Sequence, residues 1–137
     1  MDKSSVGHLQ VNVYSHNVTF YKDLFTFLGW TVVYEDAAMV GVEDKNGVSL
    51  WFAGSAKNCD NDYDGPGVNH LAVSVGAQAD VDECVKYIKK IGVKALFETP
   101  RHRPEFCSDA NSTYYQVMFE SPDRILFEVV YTGPKEK

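Results

Sequence analysis

The 137-residue chain has no long apolar run, and none of its hydrophobic stretches approaches the length of a membrane span. The opening Met1-Asp2-Lys3-Ser4-Ser5 has no apolar signal core, which predicts a cytoplasmic protein. Cysteine is scarce. The three present, Cys59, Cys84 and Cys107, are an odd number without CxxC spacing, which argues against a disulfide framework and a thiolate zinc site. Cys84 falls near the apolar face of an expected helix and reads as packing. Basic residues are the minority, 13 against 19 acidic, for a net charge of −6. Phosphates would be repelled, so neither nucleic acid nor membrane is an expected partner. The one dense basic spot, Arg101-His102-Arg103, reads as a solvated loop or as an anion-binding lid over a pocket. Apolar residues, at 45%, suffice for one substantial core and a single domain.

What stands out is a repeat. Gly7-His8-Leu9-Gln10-Val11-Asn12-Val13 and Asn69-His70-Leu71-Ala72-Val73-Ser74-Val75 share His, Leu, Val and Val, with positions 8 and 70 lying 62 residues apart. Each copy alternates as a strand, so burying Leu9, Val11 and Val13, or Leu71, Val73 and Val75, turns both histidines to the other face. One histidine per copy on a non-core face suggests a shared site.

The order around each copy also repeats. A helix is expected over 15–29, with Phe20, Tyr21, Leu24, Phe27 and Leu28 at helical spacing and Gly29 as its stop. Strands follow at 30–35, 39–43 and 48–53, the last two joined by an Asn46-Gly47 hairpin signal. The polar, Gly-containing 54–67 reads as a linker between a first module, 6–53, and a second, 68–132. There a helix is expected over 80–91, with Asp80 and Glu83 as a capping box, Val81, Val85 and Ile88 as its buried stripe and Gly92 as its end. A strand at 93–98, a loop at 99–112 and strands at 113–120 and 124–131 complete the second module. Each module is therefore strand-helix-strand-strand-strand. The closing strands align at an offset of 77, which makes Trp51 and Glu128 equivalent. Ile125, Phe127 and Val129 form a core face, so Glu128 points the opposite way.

Two imidazoles and a carboxylate bind a divalent metal and leave positions open for water or substrate, which makes His8, His70 and Glu128 a candidate ligand set. Taken singly, each is an ordinary strand histidine or a solvated charge; the duplication raises them. His16 reads as a surface residue at a helix start. His102 reads as surface, with a substrate contact or fourth ligand as the other reading. Trp51 either fills core or forms a pocket wall. Gln10, on the histidine face of the first strand, and Tyr114 and Gln116, sharing one strand parity, are candidate pocket residues.

Nearly the whole chain resembles the vicinal-oxygen-chelate superfamily of glyoxalases, bleomycin- and fosfomycin-resistance proteins and extradiol dioxygenases. The resemblance rests on Gly7-His8-Leu9, on Phe20 to Phe25 leading to Leu28-Gly29-Trp30, on Asn69-His70-Leu71-Ala72, and on the ending from Tyr114 to Tyr131. It implies an α+β fold: two βαβββ modules forming a paired, partly open mixed β-sheet barrel with the helices outside. It also implies a divalent metal (Zn, Ni, Mn or Fe) on His8, His70 and Glu128, and a homodimer. Trp51 stands where glyoxalase I carries a fourth, glutamate ligand, which argues against glyoxalase I chemistry proper. Ser121 and Arg124 replace the Asp and Gly usual in the family's closing turn. The resemblance implies a metal-dependent lyase, isomerase or transferase acting on a small molecule chelated through vicinal oxygens. The alternatives are a metal-free sequestering protein of the bleomycin-resistance type and an extradiol-type dioxygenase.

Overall fold

In the first half, apolar alternation builds a mixed four-stranded sheet in the order β1-β4-β3-β2. Strand β1 (His8–Asn12) runs parallel to β4 (Ser49–Ala53), which lies antiparallel to β3 (Met39–Glu43), itself antiparallel to β2 (Thr31–Glu35). Helix α1 (Val18–Phe27) lays Val18, Tyr21, Leu24 and Phe25 on one sheet face. Tyr21 stacks on Phe52 with centroids 4.4 Å apart, and Val40, Val42 and Leu50 complete this core. Each fully buried side chain of this size contributes roughly 1.5–3 kcal/mol over exposure.

The computed structural model describes residues 1–136, and the chain divides into two units, Met1–Asp60 and Asn61–Lys137. The second unit repeats the topology of the first as β5-β8-β7-β6. Strand β5 (Leu71–Ser74) is parallel to β8 (Leu126–Pro134); β7 (Ser112–Glu120) is antiparallel to β8 and to β6 (Ala95–His102). Helix α2 (Gln78–Lys90) buries Val81, Cys84 and Ile88, and it packs on the sheet that holds the stacked Phe119 and Phe127. The register repeats as well. Gln10 faces Trp51 in the first unit and Ala72 faces Glu128 in the second, so the offsets of 62 and 77 read from the sequence describe one pairing used twice.

Several element boundaries differ from expectation. A 3-10 turn at Ser15–Asn17 precedes α1, which ends at Phe27, with Gly29 at φ 86° completing the stop. Helix α2 begins two residues early, at Gln78, so Asp80 and Glu83 form no capping box. Its N-cap, Ala77, has no side-chain oxygen to offer; the Gln78 N–H instead donates to Glu136 Oε1 at 3.2 Å, and Glu83 pairs with Lys86. Strand β6 runs to His102, through residues expected in a loop, because an irregularity between Leu96 and Arg101 lets pairing to β7 resume. Thr99 bridges it, its hydroxyl donating to Leu96 O at 2.6 Å and accepting from the Met118 N–H at 3.0 Å. His70 lies just before β5 rather than inside a strand, and β8 starts at Leu126, two residues late. Among the described residues no helix is long and apolar enough to cross a membrane.

Candidate functional site

Both faces of β8 are covered, which is how a carboxylate comes to lie inside the second unit. Phe127 and Val129 point to the α2 side, whereas Glu128, only 2% exposed, points the other way. A buried carboxylate is costly unless its oxygens are satisfied. Here Oε1 accepts from the Tyr114 hydroxyl and from Gln116 Nε2, the latter at 2.7 Å. Tyr114 and Gln116 stand on β7, two residues apart and therefore on one face. Burial, then the bond to Glu128, pushes the Tyr114 hydroxyl up from its ordinary range and keeps it a donor.

The other oxygen, Oε2, faces His70 Nε2 at 2.9 Å. Asn69 sets the state of that ring. Its amide nitrogen donates to Tyr63 O at 2.9 Å, so its oxygen is the atom turned to His70 Nδ1, 2.7 Å away. An amide oxygen only accepts, so Nδ1 carries a proton, and Nε2 is the ring nitrogen turned to the carboxylate. With a proton on Nε2 the two groups hydrogen-bond to each other; without it, the ring nitrogen and the carboxylate oxygen can share one cation. Their 2.9 Å separation also suits adjacent ligands on one ion, since ligands at right angles and about 2.1 Å from a metal sit about 3.0 Å apart. The outer contacts from Asn69, Tyr114 and Gln116 are the kind that orient metal ligands. His70 and Glu128 therefore fit a divalent ion. Among the described residues no three His, Cys, Asp or Glu side chains cluster as a complete site.

This pair opens on a cavity of about 630 Å³ within the second unit. Tyr63, Phe97, Phe106 and Met118 supply apolar surface, and Arg103 and Asp64 supply charge. Phe97 and Glu98 both take left-handed backbone, φ 55° and 60°, at a cost of roughly 1–2 kcal/mol each, a device found mainly where the position of a side chain matters. A 3-10 turn at Pro104–Phe106 carries Phe106 against Tyr114, with ring centroids 5.2 Å apart.

Of the remaining sequence-derived candidates, His8, Gln10 and Trp51 belong to the first unit, and His102 to another part of the second. His8 is exposed at the start of β1 in the first unit. Gln10 is exposed and bonds Asn12 at 3.0 Å. Trp51 is half-buried on the sheet face away from α1, with its Nε1–H on Ser49 Oγ at 3.0 Å and its ring over Gly41, where a Cβ would come within 2.7 Å of it. It thus packs outside the Phe52 core and against Tyr34, 5.8 Å between centroids. His102 lines a separate cavity of about 340 Å³, its Nδ1 2.5 Å from Thr113 Oγ1. Arg101 extends toward Glu98 and is absent from both cavity walls, so the basic cluster divides: Arg103 enters the site and Arg101 does not.

Tyr63, Asn69, Phe97 and Phe106 escaped the sequence reading. Tyr63 lies in the stretch read as linker, although its hydroxyl donates to Glu120 Oε1 at 2.5 Å and so docks that stretch on the second unit. Its one signal was an aromatic among Asn, Asp and Gly. Asn69 could have been weighed because it adjoins His70 in the repeat.

Residues 5–129 match the model of the Glyoxalase/Bleomycin resistance protein/Dioxygenase superfamily. No curated protein matches the chain in sequence. Among solved structures, a candidate glyoxalase from Bacillus halodurans superposes with a TM-score of 0.75 at 24% identity, covering 92% of this chain and 94% of that one. A glyoxalase/dioxygenase from Nostoc punctiforme gives 0.71 at 17%, covering 96% and 92%. A mutant fosfomycin resistance protein from Listeria monocytogenes, in complex with Mn(II) and 1S,2S-dihydroxypropylphosphonic acid, gives 0.64 at 20%, covering 93% and 89%.

Proposed function

The chain belongs to the Glyoxalase/Bleomycin resistance protein/Dioxygenase superfamily, and on that premise we propose that it is a divalent-metal enzyme acting on a small molecule through that molecule's oxygens. The proposed ligands within the second unit are His70 and Glu128. The single observation that carries the reading is the His70 Nε2 and Glu128 Oε2 pair, 2.9 Å apart beside a cavity, with the imidazole proton held on the far nitrogen by Asn69. The Listeria neighbour, with its Mn(II), adds support by analogy of fold.

A metal there would supply Lewis acidity toward a substrate oxygen. The chain's own groups do the rest. Asn69 holds the Nδ1 side of the His70 ring, so Nε2 is the nitrogen that would meet the metal. Gln116 and Tyr114 hold one oxygen of Glu128 and leave the other toward His70. Phe97, Phe106 and Met118 enclose the substrate body and displace water, which strengthens every polar interaction inside.

Elemental analysis after equilibration with Mn, Fe, Ni or Zn tests the reading. About one ion per chain is expected for the wild type, and loss of at least about tenfold in metal affinity for His70→Ala and for Glu128→Gln. Unchanged metal content in His70→Ala sinks it. A metal-free small-molecule binder is the second reading. It is favoured by the direct His70–Glu128 contact and by the absence, among the described residues, of a cluster of three ligands. A wild type that binds no divalent ion selects it.

A further inference from the structure

Among the described residues Arg103 is the only lysine or arginine lining the cavity beside His70 and Glu128. Its Nε donates to Glu105 Oε1 at 2.5 Å and its Nη1 to Gln116 Oε1 at 3.1 Å. Among the described residues Nη2, with two N–H groups, has no acceptor. The guanidinium lies over the Phe106 ring, 4.8 Å from carbon to centroid, so its plane is held against an apolar wall. Gln116 ties it to the reaction end, its oxygen accepting from Arg103 while its nitrogen donates to Glu128. The free N–H groups thus stand one side chain away from the His70–Glu128 pair.

The apolar part of the cavity is as informative. Phe97 and Phe106 are 52% and 57% exposed, a large aromatic area for a small unit to leave in water unless something covers it. Both rings line the same cavity as Arg103, and the left-handed backbone at Phe97 and Glu98 accompanies the placement of one of them. A cation with unused donors flanked by uncovered aromatic rings matches an anion on an apolar body.

Resting on the reading of this cavity as the reaction site, we propose that the substrate is a small oxyanion, a carboxylate or a phosphonate, whose charged group is held by Arg103 Nη2 and whose apolar body lies on Phe97 and Phe106. Arg103 is then the residue that selects charged substrates over neutral ones of the same shape.

Calorimetric titration with phenylacetate, benzylphosphonate and neutral phenylacetamide tests this, with metal content measured on every sample. The wild type should bind at least one of the two anions about tenfold or more tighter than the amide, the amount a charge-assisted hydrogen bond supplies. The tighter of the two identifies the oxyanion. Arg103→Met should abolish that preference with metal content and circular dichroism unchanged, and Arg103→Lys should restore part of it. Phe97→Ala should weaken all three probes alike. Equal binding of anions and amide, no binding of any probe, or a preference that survives in Arg103→Met overturns the inference. A protein without metal that keeps an Arg103-dependent preference overturns the metal reading alone.

Discussion

Asn69 shows how one side chain can orient a histidine ring. Fixed by Tyr63 O on one side, its amide holds a proton on His70 Nδ1 and leaves Nε2 as the nitrogen turned to Glu128. Arg124 makes a different point at the same scale. It takes φ 58° in the turn before β8, where the family's usual residue is glycine. Ser121 closes that turn, its Oγ accepting from the Ile125 N–H at 3.1 Å, and Asn61 Nδ2 donates to Arg124 O at 2.9 Å. A left-handed residue with a Cβ costs roughly 1–2 kcal/mol, part of which glycine returns as lost chain entropy. Arg124→Gly should therefore raise stability by up to about 1 kcal/mol, read as a higher urea midpoint at unchanged slope. The departure from family pattern at Arg124 was legible in the sequence. The partners of His70 and Glu128 were not, since a hydrogen bond between residues far apart in the chain leaves no local pattern.

Elements were read well where hydrophobic period alone decides them and poorly where a cap or a bulge does. The strand at 39–43 is reproduced to the residue; of the expected stripe Val81 and Ile88 are buried, but Val85 is only half-buried and Cys84 takes the third buried place. The start of α2 moved because tertiary contact replaced local chemistry: Glu136, distant in sequence, supplies the side-chain oxygen that Ala77 lacks. Ala77 has extended backbone, φ −148° and ψ 152°, which suits a capping residue. Ala77→Ser should add about 0.5–1 kcal/mol and raise the thermal midpoint by a few degrees. An unchanged midpoint would mean that Glu136 already satisfies the helix end. Strand β6 was cut short in the sequence reading because Thr99-Pro100 reads as a break, whereas the Thr99 hydroxyl carries the pairing across it.

At the scale of the whole chain, each unit has its own sheet, helix and core, and the division falls at Asp60 and Asn61. Residues 57–60 are exposed and lie outside the regular elements. Brief trypsin treatment should thus cut first, among internal sites, at Lys57, giving fragments of 1–57 and 58–137 by mass. Initial cleavage inside α2, at Lys86 or Lys89, would contradict two well-packed units. The expected linker of 54–67 is only partly one, because Asn61, Tyr63 and Asn69 dock its second half onto the unit that carries the cavity.

The sequence alone determined the duplicated module, the offsets of 62 and 77 that make its strands equivalent, and the parity that turns Glu128 from its core. These follow from the two-residue period of a strand, a local property that composition along the chain records. Only the tertiary structure decided that Glu128 is buried rather than solvated, that Asn69 holds the His70 proton, and that Arg103 rather than Arg101 enters the cavity. Burial and hydrogen-bond partners depend on what other strands and turns bring near, and no local period encodes that.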